Sequence, residues 1–402
     1  MPRELFANPL TDGSHSRWLD VAETAASVLR QDIVSRDASG ETPHYALEVL
    51  REHNLLSLVV PLELGGSGEP WSTAAEITRI IARADAGIAH ALGYHYTWVW
   101  FVSAYGTESG RAVLRRTASE SLFWASIGSA FGGSGSIRAH GGGHIVNAAR
   151  GFATGAPLAD VLFTQTVSTD DGRLYLSAID TASDGVSVAD DWDVLGQRLS
   201  ASTGISLIDV EIGPANVITI LPAPGDAPTP LQSLMIPTFQ LLFAYLNLGI
   251  TEGALLEARD YVLERGRPWV HSSVDRSSDD PFVVNLFGQK AARVLGVSAQ
   301  IGAAQTVLSA LLSGEIPITP QTRGQTAELI AAAKVVSHEV GLDVTTAIFD
   351  ATGARSAASQ FGLDRFWRNI RTITLHDPVA YKYNELGAYV LNGDLPEPSV
   401  YR

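Results

Sequence analysis

The residues best equipped for chemistry cluster near the C-terminus. Residues 361 to 384, FGLDRFWRNIRTITLHDPVAYKYN, set Arg365, Arg368, Arg371, His376, Asp377 and Lys382 among aromatics. In a chain of net charge -15, so many cations beside a histidine are what holding an anion requires. His376 can donate, accept or shuttle a proton near neutral pH. It can equally cap the helix that HDP would begin, with Pro378 in its first turn. His90 and Tyr94, in AHALGYHYT, lie four apart and share a face if that segment is helical. No third histidine or carboxylate follows at a zinc-like interval, so the pair reads as pocket wall rather than a metal site. His140 and His144 in HGGGH read as hairpin residues, because three glycines argue against a helix. By residue type alone, Arg267 in GRPW and Arg355 in GAR are solvated charges, and Trp192 and Phe152 are ordinary core.

Three kinds of segment must position these groups. Helical periodicity predicts amphipathic helices over 22–34, 43–55 and 73–84, with VPLELGGSGEP as the turn that brings the third over the first two. From about residue 121 the period changes. LFWASIGSA, HIVNAARGF, DVLFTQTVS, RLYLSAID, SLIDVEI and NVITIL read as short strands between glycine and aspartate turns, the pattern of a small antiparallel barrel or sandwich. The proline-rich LPAPGDAPTP closes that block as an extended connector. Beyond it a helical stripe runs through Leu241, Tyr245, Gly249 and Gly253, whose glycines would admit a close neighbour. Segments 287–312, 326–352 and 379–391 complete four helices, enough for a bundle. The expected fold is mainly α with a central β domain: helical domain 1–118, β-barrel 119–230, four-helix bundle 231–402.

Composition bounds the function. A chain of 402 residues, 46% hydrophobic and 18% charged, is an ordinary globular balance with room for two or three domains. Its negative charge disfavours nucleic acid and anionic membrane surfaces as partners. The apolar run 234–250 is interrupted by Pro237, Gln240 and Asn247 and reads as a buried core helix rather than a membrane span. The absence of cysteine excludes disulfides, thiolate metal sites and thiol nucleophiles. With no apolar leader at the N-terminus, the expectation is a cytoplasmic enzyme acting on a small molecule.

LLSLVVPLELGG, HALGYHYT, ADDWDVLGQR, GRPW, DATGAR and FWRNIRTITLHDPVAYK carry a more specific signal. From about residue 45 to its end the chain resembles the flavin-dependent monooxygenase branch of the acyl-CoA dehydrogenase superfamily, the group of the dibenzothiophene monooxygenases. That resemblance implies an acyl-CoA dehydrogenase-like fold, a homotetramer and reduced FMN as cofactor, with FAD as the alternative flavin. It implies a two-component monooxygenase that forms a flavin C4a-hydroperoxide and oxygenates sulfur, sulfide or thiophene to sulfoxide or sulfone, or a similar soft nucleophile on an apolar aromatic substrate. FGGSGS, residues 131–136, lacks the helix and acidic residue of a dinucleotide fingerprint and reads as a loop over substrate or flavin. Reduced flavin would therefore come from a separate NAD(P)H:flavin reductase. Two alternatives stay open, an acyl-CoA dehydrogenase or oxidase with bound FAD, and a catalytically silent flavin-binding protein. The first is weakened by TLHDP, which has His376 where most dehydrogenases place their glutamate base.

The resemblance also implies roles. His376, Thr154 and Tyr94 would be catalytic, with His376 donating a hydrogen bond and a proton to the reacting oxygen. Phe152, Thr154 and Trp192 would line the flavin ring. Ser202, Arg267 and Arg355 would hold its phosphate, one arginine reaching in from a neighbouring subunit. His90, Tyr94, Ile127 and His376 would border the substrate. Ile127 stands for an asparagine of the relatives, Thr154 for a serine and Pro157 for a lysine, which implies a less polar pocket. Arg365, Arg368 and Arg371 then become scaffold for the final turn.

Overall fold

The computed structural model describes residues 16–127 and 135–399. Among the described residues six helices come first: α1 (Ser16–Arg30), α2 (Ile33–Ser39), α3 (His44–Glu52), α4 (Trp71–Ala82), α5 (Ala86–Tyr105) and α6 (Glu108–Glu120). Periodicity finds α1, α3 and α4, passes over α6, and misses the full length of α5, which is apolar on nearly every side and so carries no stripe. Its ends are nonetheless well marked. The Asp85 carboxylate accepts from the N–H groups of Gly87 and Ile88, and Gly106 closes the helix in the left-handed region.

Among the described residues eight strands form one sheet: β1 (Trp124–Ile127), β2 (Gly135–His140), β3 (Gly143–Ala153), β4 (Val161–Ser168), β5 (Leu174–Asp180), β6 (Val186–Val188), β7 (Thr203–Ile212) and β8 (Val217–Leu221). The order is β6-β7-β3-β2-β4-β5-β8, with β1 also on β4. The expected antiparallel sheet is in fact mixed, because β4 takes both β1 and β2 in parallel register. Burial explains the choice: β4 is covered almost throughout, and a continuous apolar run does not encode direction. HGGGH is the β2–β3 hairpin, with Gly141 and Gly142 both at positive φ, as a two-residue turn demands.

The rest is helical: α7 (Pro230–Ser233), α8 (Met235–Arg265), α9 (Pro281–Leu312), α10 (Pro320–Thr352), α11 (Asp364–Ile373) and α12 (Val379–Asn392). Helix α8 contains the run 234–250 and is packed inside the protein, its most apolar stretch 94% buried. The close approach anticipated from its glycines is real. A Cβ on Gly249 would lie 2.2 Å from the Arg79 carbonyl, and one on Gly253 2.3 Å from that of Arg83. Between them the buried Glu252 carboxylate binds both arginines, at 2.5 Å to Arg79 and 2.8 Å to Arg83, which locks α4 against α8.

Helix α11 disposes of the anion expectation for the basic tail. Arg365 pairs with Glu257, Arg368 with Asp37 and Asp364, and the Arg371 guanidinium donates to Thr374. These cations fasten α11 to neighbours distant in sequence, and the turn after it presents His376.

Candidate active site

The site is built where α5, α8, the rim of the sheet and the turn after α11 converge on a cavity of about 670 Å³. His90 and Tyr94 enter from α5, one turn apart as their spacing predicts, with ring centroids 5.0 Å apart in an edge-on contact. Phe152 and Thr154 come from the end of β3. Trp192 and Ser202 come from the loop before β7, and His376 closes the far wall.

A rim bulge shapes one side. The β3–β7 register shifts between Arg150 and Ala153, and Phe152 sits at φ 59°. Its ring is thereby turned out of the sheet and left 72% exposed, edge-on to Trp192 at 5.8 Å. Trp192 is half-buried. Neither ring is barrel core, so that alternative is set aside.

The loop is held by a short chain of hydrogen bonds. The Gln197 carbonyl accepts from Trp192 Nε1 at 3.0 Å and from Ser200 Oγ at 2.8 Å. Ser200 and Ser202 share a 2.8 Å bond, and Ser202 Oγ donates to Thr154 Oγ1 at 3.0 Å. The Gln197 N–H donates to Asn369 on α11 at 2.6 Å, tying the loop to the helix that carries His376. Gln197 Oε1 lies 3.2 Å from His90 Nδ1. Among the described residues, His90 Nε2 and Gln197 Nε2 are buried without a partner, the signature of polar atoms awaiting a ligand.

Both pocket histidines are held neutral. Desolvation pulls His90 down to about 4 against the bond to Gln197. For His376 desolvation again leads, followed by the positive Lys334 and then His90, with Asp377 opposing, and the result is about 3. His376 is exposed and opens onto the cavity. It packs 4.6 Å from Phe243. It caps nothing: Pro378 occupies the position before α12, which has no side-chain cap. His95, five residues from His90, is the contrasting case. Its Nε2–H donates to the Leu56 carbonyl at 2.8 Å and its Nδ1 accepts from the Trp124 N–H at 3.1 Å, a fully satisfied core histidine.

The other expected residues lie outside this cavity or outside the described residues. Ile127 is wholly buried in the core of the sheet with Ala125 and Leu162 and does not line the cavity, since its side chain projects to the packed face. Arg267 and Arg355 line a second cavity of about 890 Å³ with Glu264, Arg265 and Phe361, which shares no lining residue with the first. Most of FGGSGS lies outside the described residues. Residue reading passed over Gln197, Phe243 and Arg150, all of which line the first cavity. Their signal is a contact across more than a hundred residues, which no local pattern contains.

A flat apolar slot with unpaired polar edges fits an isoalloxazine ring, and relatives of the chain agree with that fit. The acyl-CoA dehydrogenase N-terminal domain matches residues 19–136 and the C-terminal domain residues 241–381. Dibenzothiophene monooxygenase of Rhodococcus erythropolis is 33% identical, with 96% of each chain covered. The chain belongs to the flavin-dependent monooxygenases of the acyl-CoA dehydrogenase fold. A probable FMNH2-dependent monooxygenase of Pseudomonas putida is 34% identical over 95% of this chain and 97% of its own. The structure of methanesulfinate monooxygenase from Pseudomonas fluorescens superimposes with a TM-score of 0.89 at 32% identity, covering 96% of this chain and 99% of that one. As a member of this family the chain is a flavin-dependent oxidoreductase.

Proposed function

We propose that the protein is the oxygenase of a two-component system, taking reduced FMN from a separate NAD(P)H:flavin reductase and transferring one oxygen atom of O2 to sulfur in a small, largely apolar substrate. The observation that carries this reading is a pair of neutral histidines, His90 and His376, facing one apolar cavity that offers no glutamate base. Relatives named for oxygenating dibenzothiophene and methanesulfinate support sulfur as the atom attacked.

Reduced FMN supplies the activation of O2, and the protein does the rest. Phe152 and Trp192 lie against the flat ring and exclude water. Thr154, oriented by Ser202, hydrogen-bonds its edge. His90 and Tyr94 border the substrate. His376, unprotonated at neutral pH, has one N–H to donate and one lone pair to accept, so it can hold a proton at the reacting oxygen and pass it on. Ile127 is withdrawn from the pocket. Arg267 and Arg355 are exposed on the second cavity and serve the flavin phosphate of a neighbouring copy in a homotetramer. Exposed Trp269, Val270 and Phe282 nearby are the apolar surface such an assembly would cover. The enzyme would act in the cytoplasm beside its reductase.

The test supplies reduced FMN, 18O2 and either dibenzothiophene or methanesulfinate, and reads product by mass spectrometry. One 18O per transfer is expected on one of the two sulfur compounds. No incorporation on any sulfur substrate, together with bleaching of a bound FAD by an acyl-CoA, would move the chain to the dehydrogenases.

A further inference from the structure

The turn that carries His376 rests on a buried ion pair. Lys334 of α10 and Asp377 are 2% and 3% exposed, and Lys334 Nζ donates to Asp377 Oδ2 at 2.8 Å. The same ammonium donates to Gln240 Oε1 of α8 and lies 5.5 Å from the centre of the Phe243 ring. Phe243 is the ring on which His376 packs. Burying charge is costly even where Lys382 and Glu385 stand beside the pair, and apolar residues of like volume would join two helices at least as well. A cation retained one residue from the candidate proton donor points to a task beyond anchoring.

We propose that Lys334 is a positioning residue for His376, pinning the turn through Asp377 and Gln240 and keeping a positive charge behind the imidazole. The inference rests on the reading of His376 given above. The charged and titratable groups around the pair act as follows. On His376, Lys334, His90 and Arg150 disfavour the imidazolium and Asp377 favours it. On Lys334, Asp377 and Glu385 favour the ammonium, Lys382 opposes it, and His338 stands one turn further along α10. Burial draws Lys334 down to about 8, so its charge is present at neutral pH and fades above it.

The test compares K334M, the charge-free double variant K334M/D377N, H376A and K334M/H376A in the full-length protein. With flavin and substrate, K334M should divert about tenfold more O2 to H2O2, with FMN affinity unchanged within about twofold, and adding K334M to H376A should do nothing further. Without flavin, the His376 ring resonance of histidine-labelled protein, assigned by its loss in H376A, should be silent from pH 5 to 9 in wild type. It should titrate inside that window in K334M, where the Asp377 carboxylate loses its hydrogen-bonded cation and keeps only Lys382, and move back down in K334M/D377N. If H376A uncouples while K334M neither uncouples nor moves the resonance, Lys334 is merely structural and the proposal falls. If H376A itself stays coupled, the functional reading of His376 falls, and the resonance in K334M still decides whether Lys334 governs the imidazole. Should K334M fail to fold, the double variant, which leaves no orphan charge, carries the uncoupling readout: it should divert O2 to H2O2 as K334M would, and coupling as in wild type overturns the proposal.

Discussion

The two large cavities are built on opposite principles. The first is walled by rings, holds its histidines neutral by desolvation and leaves His90 Nε2 buried without a partner. The second is open, and its arginines Arg267 and Arg355 are exposed. Family resemblance assigns both to one cofactor, yet within a single chain they do not meet. On the proposed reading, ring recognition and proton handling would be completed inside the protomer, and the phosphate end by a neighbouring copy.

Substitutions on either side can break that division. The largest effect is expected for His376→Ala, which should lower oxygen transfer to substrate about 10²-fold or more with flavin affinity nearly unchanged, read as product against H2O2 per O2 consumed. An equal loss of flavin binding would make His376 a cofactor ligand instead. Next, His95→Leu strips partners from the Leu56 carbonyl and the Trp124 N–H and should cost roughly 2–4 kcal/mol in denaturant unfolding while coupling in the surviving enzyme stays normal. His90→Phe should do the reverse, sparing stability and altering coupling or substrate KM.

On the other side, Arg355→Ala should weaken FMN about tenfold or more in the assembled protein. Because both arginines of one chain line the same cavity, mixing it with Arg267→Ala subunits should restore no intact site. Unaltered FMN affinity in both single variants would remove the second cavity from cofactor binding.

The smallest effect is one of pH. The folded-state values of His90, His95 and His338 lie below the ordinary histidine value, desolvation being the first cause in each. The unfolded chain therefore binds more protons below about pH 6.5. Stability is complete above that pH and falls as pH drops towards 4, by roughly 1.4 kcal/mol per unit for each histidine, measurable by denaturant titration between pH 7 and 5. Flat stability over that range would mean that water reaches these rings.

Much of this was legible in order. All six strand candidates formed, and the Gly249 and Gly253 contact was written in their spacing. Helix α5 was not, since a helix apolar all round has no period to find, nor were the parallel pairings of β4. His90 and Tyr94 were readable because one helical turn joins them. Gln197 was not, because two of its partners, His90 on α5 and Asn369 on α11, reach it from more than a hundred residues away. Arg365 and Arg368 looked like an anion clamp only while Glu257 and Asp37 were out of sight.

Sequence alone determined the family, the run of helices, strands and helices, and the absence of thiol chemistry, because these depend on residue identity and local period. Tertiary structure decided which side chains face the cavity, which histidine is satisfied and which is not, and that the ring-walled cavity and the candidate phosphate arginines are separate. Burial and partnership are relations between distant residues, and only the folded chain supplies them.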